Sequence, residues 1–302
     1  MVGSAIVRCF KKKGFNNLLY QTHRQLDLID QQKTLEFFKK EKPDYVIIAA
    51  AKVGGILANS TFKAQFIYEN IQIQNNLIHS AFLAKVKKLL FLGSACIYPR
   101  LCSQPIKERS LLSGYLEPTN EFYSIAKIAG IKLCQGYFEQ YGANFISAMP
   151  NNLYGPNDNF DLETSHVMPA LIRKIYEAKI ACDDEVEIWG SGKPLREFLH
   201  VDDLAEAVFF LLNKISAKKL RQLDISHINI GSGEEISIKD LAILIKKIIG
   251  FKGSLEFNTK KPDGMPRKLL DNSIINKMGW KSHRSLENGT KQLFKWYLKS
   301  IR

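Results

Sequence analysis

Tyr123 and Lys127 lie in a stretch with helical periodicity running from about Asn120 to Tyr141, so they project from one face, one turn apart. An ammonium beside a phenol favours the phenolate and is expected to lower the tyrosine's pKa from about 10. Such a tyrosine exchanges a proton at neutral pH. In Gly93-Ser94-Ala95-Cys96, a serine ends the preceding strand, where its hydroxyl can hydrogen-bond the carbonyl oxygen that the tyrosine protonates. Together the three residues describe a site that reduces a ketone or oxidises an alcohol, with a nicotinamide carrying the hydride. The same tyrosine and lysine also fit an amphipathic helix with one buried tyrosine and one solvated lysine. Gly-Ser-Ala-Cys at a strand end favours the chemical reading.

The elements needed to position these groups are those of an α/β fold. Short β-rich runs alternate with helical patterns, which predicts a doubly wound parallel sheet of Rossmann type. Strands are expected at Asn17–His23, Tyr45–Ala51, Leu89–Leu92 and Asn144–Met149, and helices at Leu28–Lys40, Thr61–Lys85, Asn120–Tyr141 and Ser285–Ile301. Tyr45–Ala51 carries no polar alternation, as expected of a strand covered on both faces. After Pro150 the pattern changes to loops, short strands and isolated helices. Residues 1–150 therefore read as a dinucleotide-binding domain. Residues 151–302 read as a smaller substrate-binding α/β part with some segments returning to the first sheet.

At 302 residues and 45% hydrophobic content the chain has material for one large or two unequal domains. The formal charge is +13, but the lysines are spread in pairs such as Lys39-Lys40, Lys87-Lys88, Lys246-Lys247 and Lys260-Lys261. A nucleic-acid binder would gather them into one patch with aromatic residues between them, so no nucleic-acid partner is expected. A diffuse basic field suits a small polyanionic substrate such as a nucleotide diphosphate. No apolar run approaches the roughly 18 residues that span a bilayer, so no membrane partner is expected. Cys9, Cys96, Cys102, Cys134 and Cys182 form no C-x-x-C pair and no regular framework, which predicts reduced thiols, a cytoplasmic setting and no metal site. Lys11-Lys12-Lys13 follows the first apolar run, the reverse of a signal peptide's order.

Longer motifs narrow the reading. They are Ala49-Ala-Ala-Lys-Val-Gly-Gly55, Phe91-Leu-Gly-Ser-Ala-Cys-Ile-Tyr-Pro99, the segment from Glu117 to Gly130 and Asn152-Leu-Tyr-Gly-Pro-Asn-Asp-Asn-Phe160. Trp189 to Asp203 and Lys261-Pro-Asp-Gly-Met-Pro-Arg-Lys-Leu-Leu-Asp271 complete the set. With these motifs the chain closely resembles the GDP-L-fucose synthases of the extended short-chain dehydrogenase/reductase superfamily, over essentially its whole length. Y-x-x-x-K indicates only the superfamily; G-S-x-C-I-Y-P and K-P-D-G-x-P-R-K-L-L-D indicate this one family.

The resemblance implies NADPH-dependent 3,5-epimerisation and 4-reduction of GDP-4-keto-6-deoxy-D-mannose. A ketone at C4 acidifies the hydrogens on both neighbouring carbons, and inverting each centre needs one group to remove a proton and another to return one. Cys96 and His166 match the family's acid/base pair, and their ordinary pKa values, about 8.5 and about 6.5, suit neutrality. Ser94, Tyr123 and Lys127 match its reductase residues, Lys127 also reaching the nicotinamide ribose. The resemblance further implies coenzyme contacts from Gly3, His23, Arg24, Leu92, Gly93, Ser94, Ala95, Lys127, Pro150, Asn151, Asn152, Leu153 and His166. It assigns substrate contacts to Lys174, Trp189, Arg196 and Asp263. Arg267 is a further diphosphate candidate on chemistry alone. For Glu108, Glu121 and Asp158, surface or capping roles suffice. A homodimer through a four-helix contact, common in the superfamily, is expected.

Thr22-His23-Arg24, with no acid before Asp27, favours NADP over NAD, His23 standing where an arginine is expected. The chain opens Met1-Val2-Gly3-Ser4-Ala5-Ile6, already at the start of the helix that follows a coenzyme-binding glycine loop, with one glycine of G-x-x-G-x-x-G. The expectation is that a first strand and two glycines lie upstream, and that the chain as written is poorly stable and binds NADPH weakly. Two competitors stand beside the main reading: another extended short-chain nucleotide-sugar epimerase or reductase, and a non-catalytic protein that binds nucleotide sugar without coenzyme.

Overall fold

The computed structural model describes residues 1–261 and 263–301. The chain opens on helix α1 (Val2–Lys12), then α2 (Gln31–Glu41), β1 (Tyr45–Ile48), α3 (Ile56–Thr61), α4 (Lys63–Leu83) and β2 (Lys88–Leu92). The tyrosine helix is α5 (Glu121–Tyr141), followed by β3 (Phe145–Pro150) and β4 (Asn152–Tyr154). Next come α6 (Val167–Ala181), β5 (Glu185–Trp189), β6 (Leu195–His200), α7 (Val201–Lys214) and α8 (Ala217–Gln222). The chain continues with β7 (Ile228–Ile230), β8 (Glu235–Ser237), α9 (Ile238–Ile249) and β9 (Ser254–Asn258), and ends with β10 (Arg267–Lys268), α10 (Ser273–Lys277) and α11 (Leu286–Ser300).

Four parallel strands in the order β1-β2-β3-β7 form the main sheet. Leu89, Leu90 and Phe91 of β2 and Ile146 and Ala148 of β3 are buried, because helices cover both faces. One layer packs Ala5, Ile6, Leu204, Val208 and Leu211 from α1 and α7 against Leu90, Leu92, Ile146 and Ala148. The other packs Leu77, Ile78 and Ala81 of α4 and Ile128 and Ile131 of α5 against Leu89, Phe91 and Phe145. Each such large apolar side chain taken from water contributes about 1.5–3 kcal/mol. A second sheet runs β10-β6-β4 with β8 antiparallel to β6, and a third pairs β5 with β9. No helix among the described residues is long and apolar enough to cross a membrane.

Helix α5 fits tightly against the main sheet because Gly130 lets it approach. A Cβ there would stand 2.5 Å from the Phe91 ring and 2.8 Å from Gln74 Oε1. The helix stops at Gly142, whose left-handed backbone lets its N–H bond back to the Phe138 carbonyl at 2.8 Å.

Two expected elements differ. Asn17–His23 is not a strand: its backbone enters no ladder, and Leu19 and Tyr20 are exposed. A β-branched or aromatic composition makes a strand only where a neighbour accepts its backbone hydrogen bonds. The strand expected through Ala51 ends at Ile48, where the chain leaves β2's edge for the loop that reaches Gly54-Gly55. The helix expected at Thr61–Lys85 is α4, with the short α3 ending at Thr61 just before it.

Candidate active site

Ser94 stands just beyond the end of β2 and caps a short turn of 3-10 helix, Ala95–Ile97, by accepting from the backbone N–H of Cys96 at 3.4 Å. Gly93 before it has no room for a side chain, since a Cβ would run into the Met149 thioether of β3. The turn therefore presents Ser94 and Cys96 together at the carboxyl end of the sheet, where α/β folds bind ligands.

Helix α5 brings up the second half of the site. Tyr123 is within hydrogen-bonding reach of Ser94, and the Cys96 side chain lies close enough to disfavour its ionisation. The Tyr123 ring also meets Phe66 of α4 edge-on. Burial, first, and Cys96, second, push the phenol well above its ordinary pKa, and the Ser94 hydrogen bond only partly offsets them. This corrects the expected direction. A lysine lowers a neighbouring phenol only while it is charged, and burial moves Lys127 down to about 7. The Lys127 amine donates to the Leu92 carbonyl at 2.9 Å, lies 4.8 Å from the Phe91 ring centre, and has no carboxylate partner among the described residues. Protein alone thus holds tyrosine as the phenol and brings the lysine's titration near neutrality.

Cys96 has two polar neighbours that the sequence did not single out. Asn120, the N-cap of α5, donates from Nδ2 to Sγ at 3.3 Å, and Lys268 of β10 donates from Nζ at 3.6 Å. Lys268 reaches the site because β10 pairs with β6, placing Lys268 opposite Arg196. His166 is the N-cap of α6 and makes no capping hydrogen bond with its side chain. Its surface reaches solvent, yet protein surrounds most of the ring. That enclosure, first, and the Lys268 charge, second, lower its pKa. The glycine pair of the first loop locates this histidine. Gly55 N–H donates to Thr164 O at 3.0 Å, and a Cβ on Gly55 would stand 2.6 Å from Ser165 O.

The residues expected at the nucleotide end lie together. Lys174 and Lys261 each hold their ammonium 4.9 Å from the centre of the Trp189 ring, which is 47% exposed. Asp263 clasps the turn after Trp189, accepting from Ser191 N–H and Oγ at 2.7 Å each. Arg196 connects the two ends: it feels the charges of Cys96, Asp263 and Glu117, although burial outweighs them and lowers its pKa. Arg267 does not join. Its guanidinium forks onto Glu235 at 2.8 and 2.7 Å, which removes it as a free diphosphate ligand.

The turn between β3 and β4 is fixed by Glu197, a fully buried carboxylate with no cation bonded to it among the described residues. It accepts from Asn151 Nδ2, from Gly233 N–H at 2.6 Å, from Leu270 N–H at 3.0 Å and from Asn272 Nδ2 at 3.3 Å. Asn152 Nδ2 donates to the Glu197 carbonyl at 2.8 Å. Pro150, Asn151, Asn152 and Leu153 are thereby held beside the end of β3, whose neighbour β2 leads to Leu92, Gly93, Ser94 and Ala95. At the far side, Gly3 lies in the first turn of α1 with open space where a Cβ would be, and the His23 side chain is 81% exposed beside Arg24. No hydrogen bond joins these last three to the Ser94–Tyr123 group.

Glu121 sits in the first turn of α5, as expected of a capping acid. Glu108 does not fit a surface role. It is 5% exposed, accepts from Asn229 N–H at 3.0 Å, and burial raises its carboxyl to about 7. Asp158 is raised to about 6, again mainly by burial.

The comparisons agree in kind. The model of the NAD dependent epimerase/dehydratase family matches residues 1–231. GDP-L-fucose synthase 1 of Arabidopsis thaliana is 56% identical over 301 residues, covering 100% of this chain and 91% of the relative. The GDP-L-fucose synthase of Escherichia coli K12 is 50% identical over 303 residues, covering 99% and 94%. Among solved structures, a GDP-L-fucose synthetase from Naegleria fowleri bound to NADP superposes with a TM-score of 0.88 at 30% identity, covering 99% of this chain and 91% of that one.

Proposed function

The chain belongs to the NAD dependent epimerase/dehydratase family, and from that premise we propose that it converts GDP-4-keto-6-deoxy-D-mannose to GDP-L-fucose with NADPH. Two epimerisations, at C3 and C5, precede one reduction at C4. The observation that carries this reading is that Cys96 lies beside Ser94 and Tyr123, so epimerising and reducing groups share one cleft. A reductase alone needs neither the thiol nor the imidazole.

Each side chain has a task that its surroundings suit. The C4 ketone acidifies C3–H and C5–H; Cys96 and His166 remove and return protons there. Ser94 and Tyr123 hold the C4 oxygen and stabilise its developing charge. The coenzyme supplies the hydride. Tyr123 donates the proton to the oxygen, and burial keeps it in the protonated form that a donor requires.

The residues present fit NADPH. The Lys127 amine, buried without a counter-ion among the described residues, is suited to the ribose hydroxyls, and Leu92–Ala95 with Pro150–Leu153 line the nicotinamide side. The N–H groups of α1's first turn, at Gly3, face a pyrophosphate favourably, and His23 and Arg24 suit a 2′-phosphate. For the substrate, Arg196 takes the diphosphate, and Trp189 offers a face for the base beside Lys174. Asp263 accepts from sugar hydroxyls with the lone pairs that Ser191 leaves free.

In this reading residues 1–150, with β7 returning to their sheet, serve the coenzyme, and residues 151–302 mainly serve the GDP-sugar. The chain works in the cytoplasm, in keeping with five unpaired thiols, and as a homodimer. Helices α4 and α5 pack together and still expose Tyr68, Leu83, Ile125 and Tyr141, an apolar surface that a second copy would cover.

Incubation with NADPH and the keto sugar in D2O tests the proposal. Deuterium at C3 and C5 of GDP-L-fucose is the expected result. A reduced sugar that keeps hydrogen at both carbons would reduce the protein to a plain reductase, and failure to bind NADPH would favour the non-catalytic reading.

A further inference from the structure

Lys268 is buried at 8% exposure, and its ammonium has no carboxylate partner among the described residues. It is aimed at the cleft: Nζ donates to Cys96 Sγ at 3.6 Å, and the same charge is felt by His166. Its place is set by backbone. Lys268 pairs with Arg196 in the second sheet, and its carbonyl accepts from Asn151 Nδ2 at 3.3 Å. Two residues on, Leu270 N–H is fixed on buried Glu197. A buried cation held this firmly beside a thiol favours the thiolate.

We propose that Lys268 is the positioning residue that readies Cys96 as the base of the epimerisation, by holding a positive charge against the thiolate. The inference deepens the function proposed above and rests on it for the identity of the substrate, but not for the state of the thiol. In the step concerned the thiolate takes hydrogen from carbon beside the ketone. An S–H bond forms as the C–H bond breaks, and the electron pair passes to the C4 oxygen, which Ser94 and Tyr123 hold. Groups near Cys96 include Lys268 on β10, Arg196 on β6, Asn120 and the neutral Tyr123 on α5, and Ser94 on its own turn. Two of these are cations. Of the two, Lys268 is the one whose donor contacts the sulfur, so its loss should dominate.

At 3.6 Å a unit charge acting through an effective dielectric near 20 favours a thiolate by roughly three powers of ten before solvent screening reduces it. A roughly tenfold difference in thiolate at pH 7 between the protein with and without the Lys268 charge is a conservative expectation. The test is the rate of iodoacetamide alkylation of Cys96 against pH, read by peptide mass so that the other four cysteines do not interfere. In Lys268→Met alkylation at pH 7 should be slowed about tenfold relative to the unaltered protein, and Lys268→Arg should restore most of the rate. Deuterium exchange into the keto sugar should fall in parallel and recover as pH is raised. Alkylation at pH 7 unmoved by Lys268→Met, or slowed as much by Lys268→Arg, overturns the proposal. Lys268→Arg keeps the charge and so separates its loss from a loss of fold. Lys268-dependent alkylation without any exchange into the sugar would instead overturn the proposed function and leave this inference standing.

Discussion

Replacing Glu108 with glutamine should make the protein more stable at alkaline pH and leave it nearly unchanged in acid. The Glu108 carboxyl accepts one backbone N–H, from Asn229, and lies in a closed polar group in which the Tyr98 hydroxyl bonds both His227 Nε2, at 2.7 Å, and Asn229 Oδ1. His227 supplies no compensating charge, because burial lowers it to about 3. Burial likewise raises Glu108 from an ordinary 4.5 to about 7. With the folded pKa above the unfolded one, the stability contributed by the neutral carboxyl is complete below about pH 4.5 and is lost as pH rises through about 7. A difference of roughly 2.5 units corresponds to about 3 kcal/mol, fully developed above about pH 8. Glutamine keeps the acceptor for Asn229 and cannot ionise, so Glu108→Gln should gain that amount over the unaltered protein at pH 8.5 and almost nothing at about pH 4. Urea unfolding of both proteins across this range, with slopes compared at each pH, measures it. An advantage that is absent at pH 8.5, or the same at both ends, would refute the reasoning.

The remaining expectations concern the site. Tyr123→Phe removes only the proton donor, so NADPH oxidation should collapse while deuterium exchange at C3 and C5 continues; reduction at an undiminished rate would remove the tyrosine from its role. Cys96→Ser raises the side chain's pKa far above neutrality, so exchange should fail by several orders of magnitude while NADPH still binds, as followed by mass spectrometry and coenzyme titration. Lys127, brought to about 7 by burial, should gain a proton when the anionic coenzyme lies beside it. Calorimetry at pH 8 in buffers of different ionisation enthalpy should then report uptake of up to about one proton, and affinity should weaken from pH 7 to pH 9. Equal heats in all buffers would count against it.

What the sequence made legible was local. Tyr123 and Lys127 share a helix face by spacing alone, and Gly93-Ser94-Ala95-Cys96 sits at a strand end because an apolar run precedes it. The parallel sheet followed from runs such as Tyr45–Ile48 and Lys88–Leu92. What escaped depends on residues distant in the chain. Lys268 meets Cys96 only through the pairing of β10 with β6, and Gly55 places His166 only because the first loop packs on the segment before α6. Glu108 looks like a surface acid until Asn229 of β7 closes over it. Spacing reveals the lysine beside Tyr123 but not how deeply both groups are enclosed, and enclosure sets the direction of the shift. Asn17–His23 has strand-like residues, yet strand formation needs a second backbone, which composition cannot report.

Glu197 has a mechanical consequence. Its two oxygens gather hydrogen bonds from Asn151, Gly233, Leu270 and Asn272, three separate stretches of chain, and its own strand is β6. Like a rivet through several plates, it fastens the turn beside the nicotinamide side to the strand that carries Lys268. Those pieces cannot slide past one another without uncovering a buried carboxylate, a change that costs several kcal/mol. Outside the rivet lie the turn that joins Asp263 to Ser191 and the loop from Asn157 to Ser165, which its own hydrogen bonds and Gly55 hold instead.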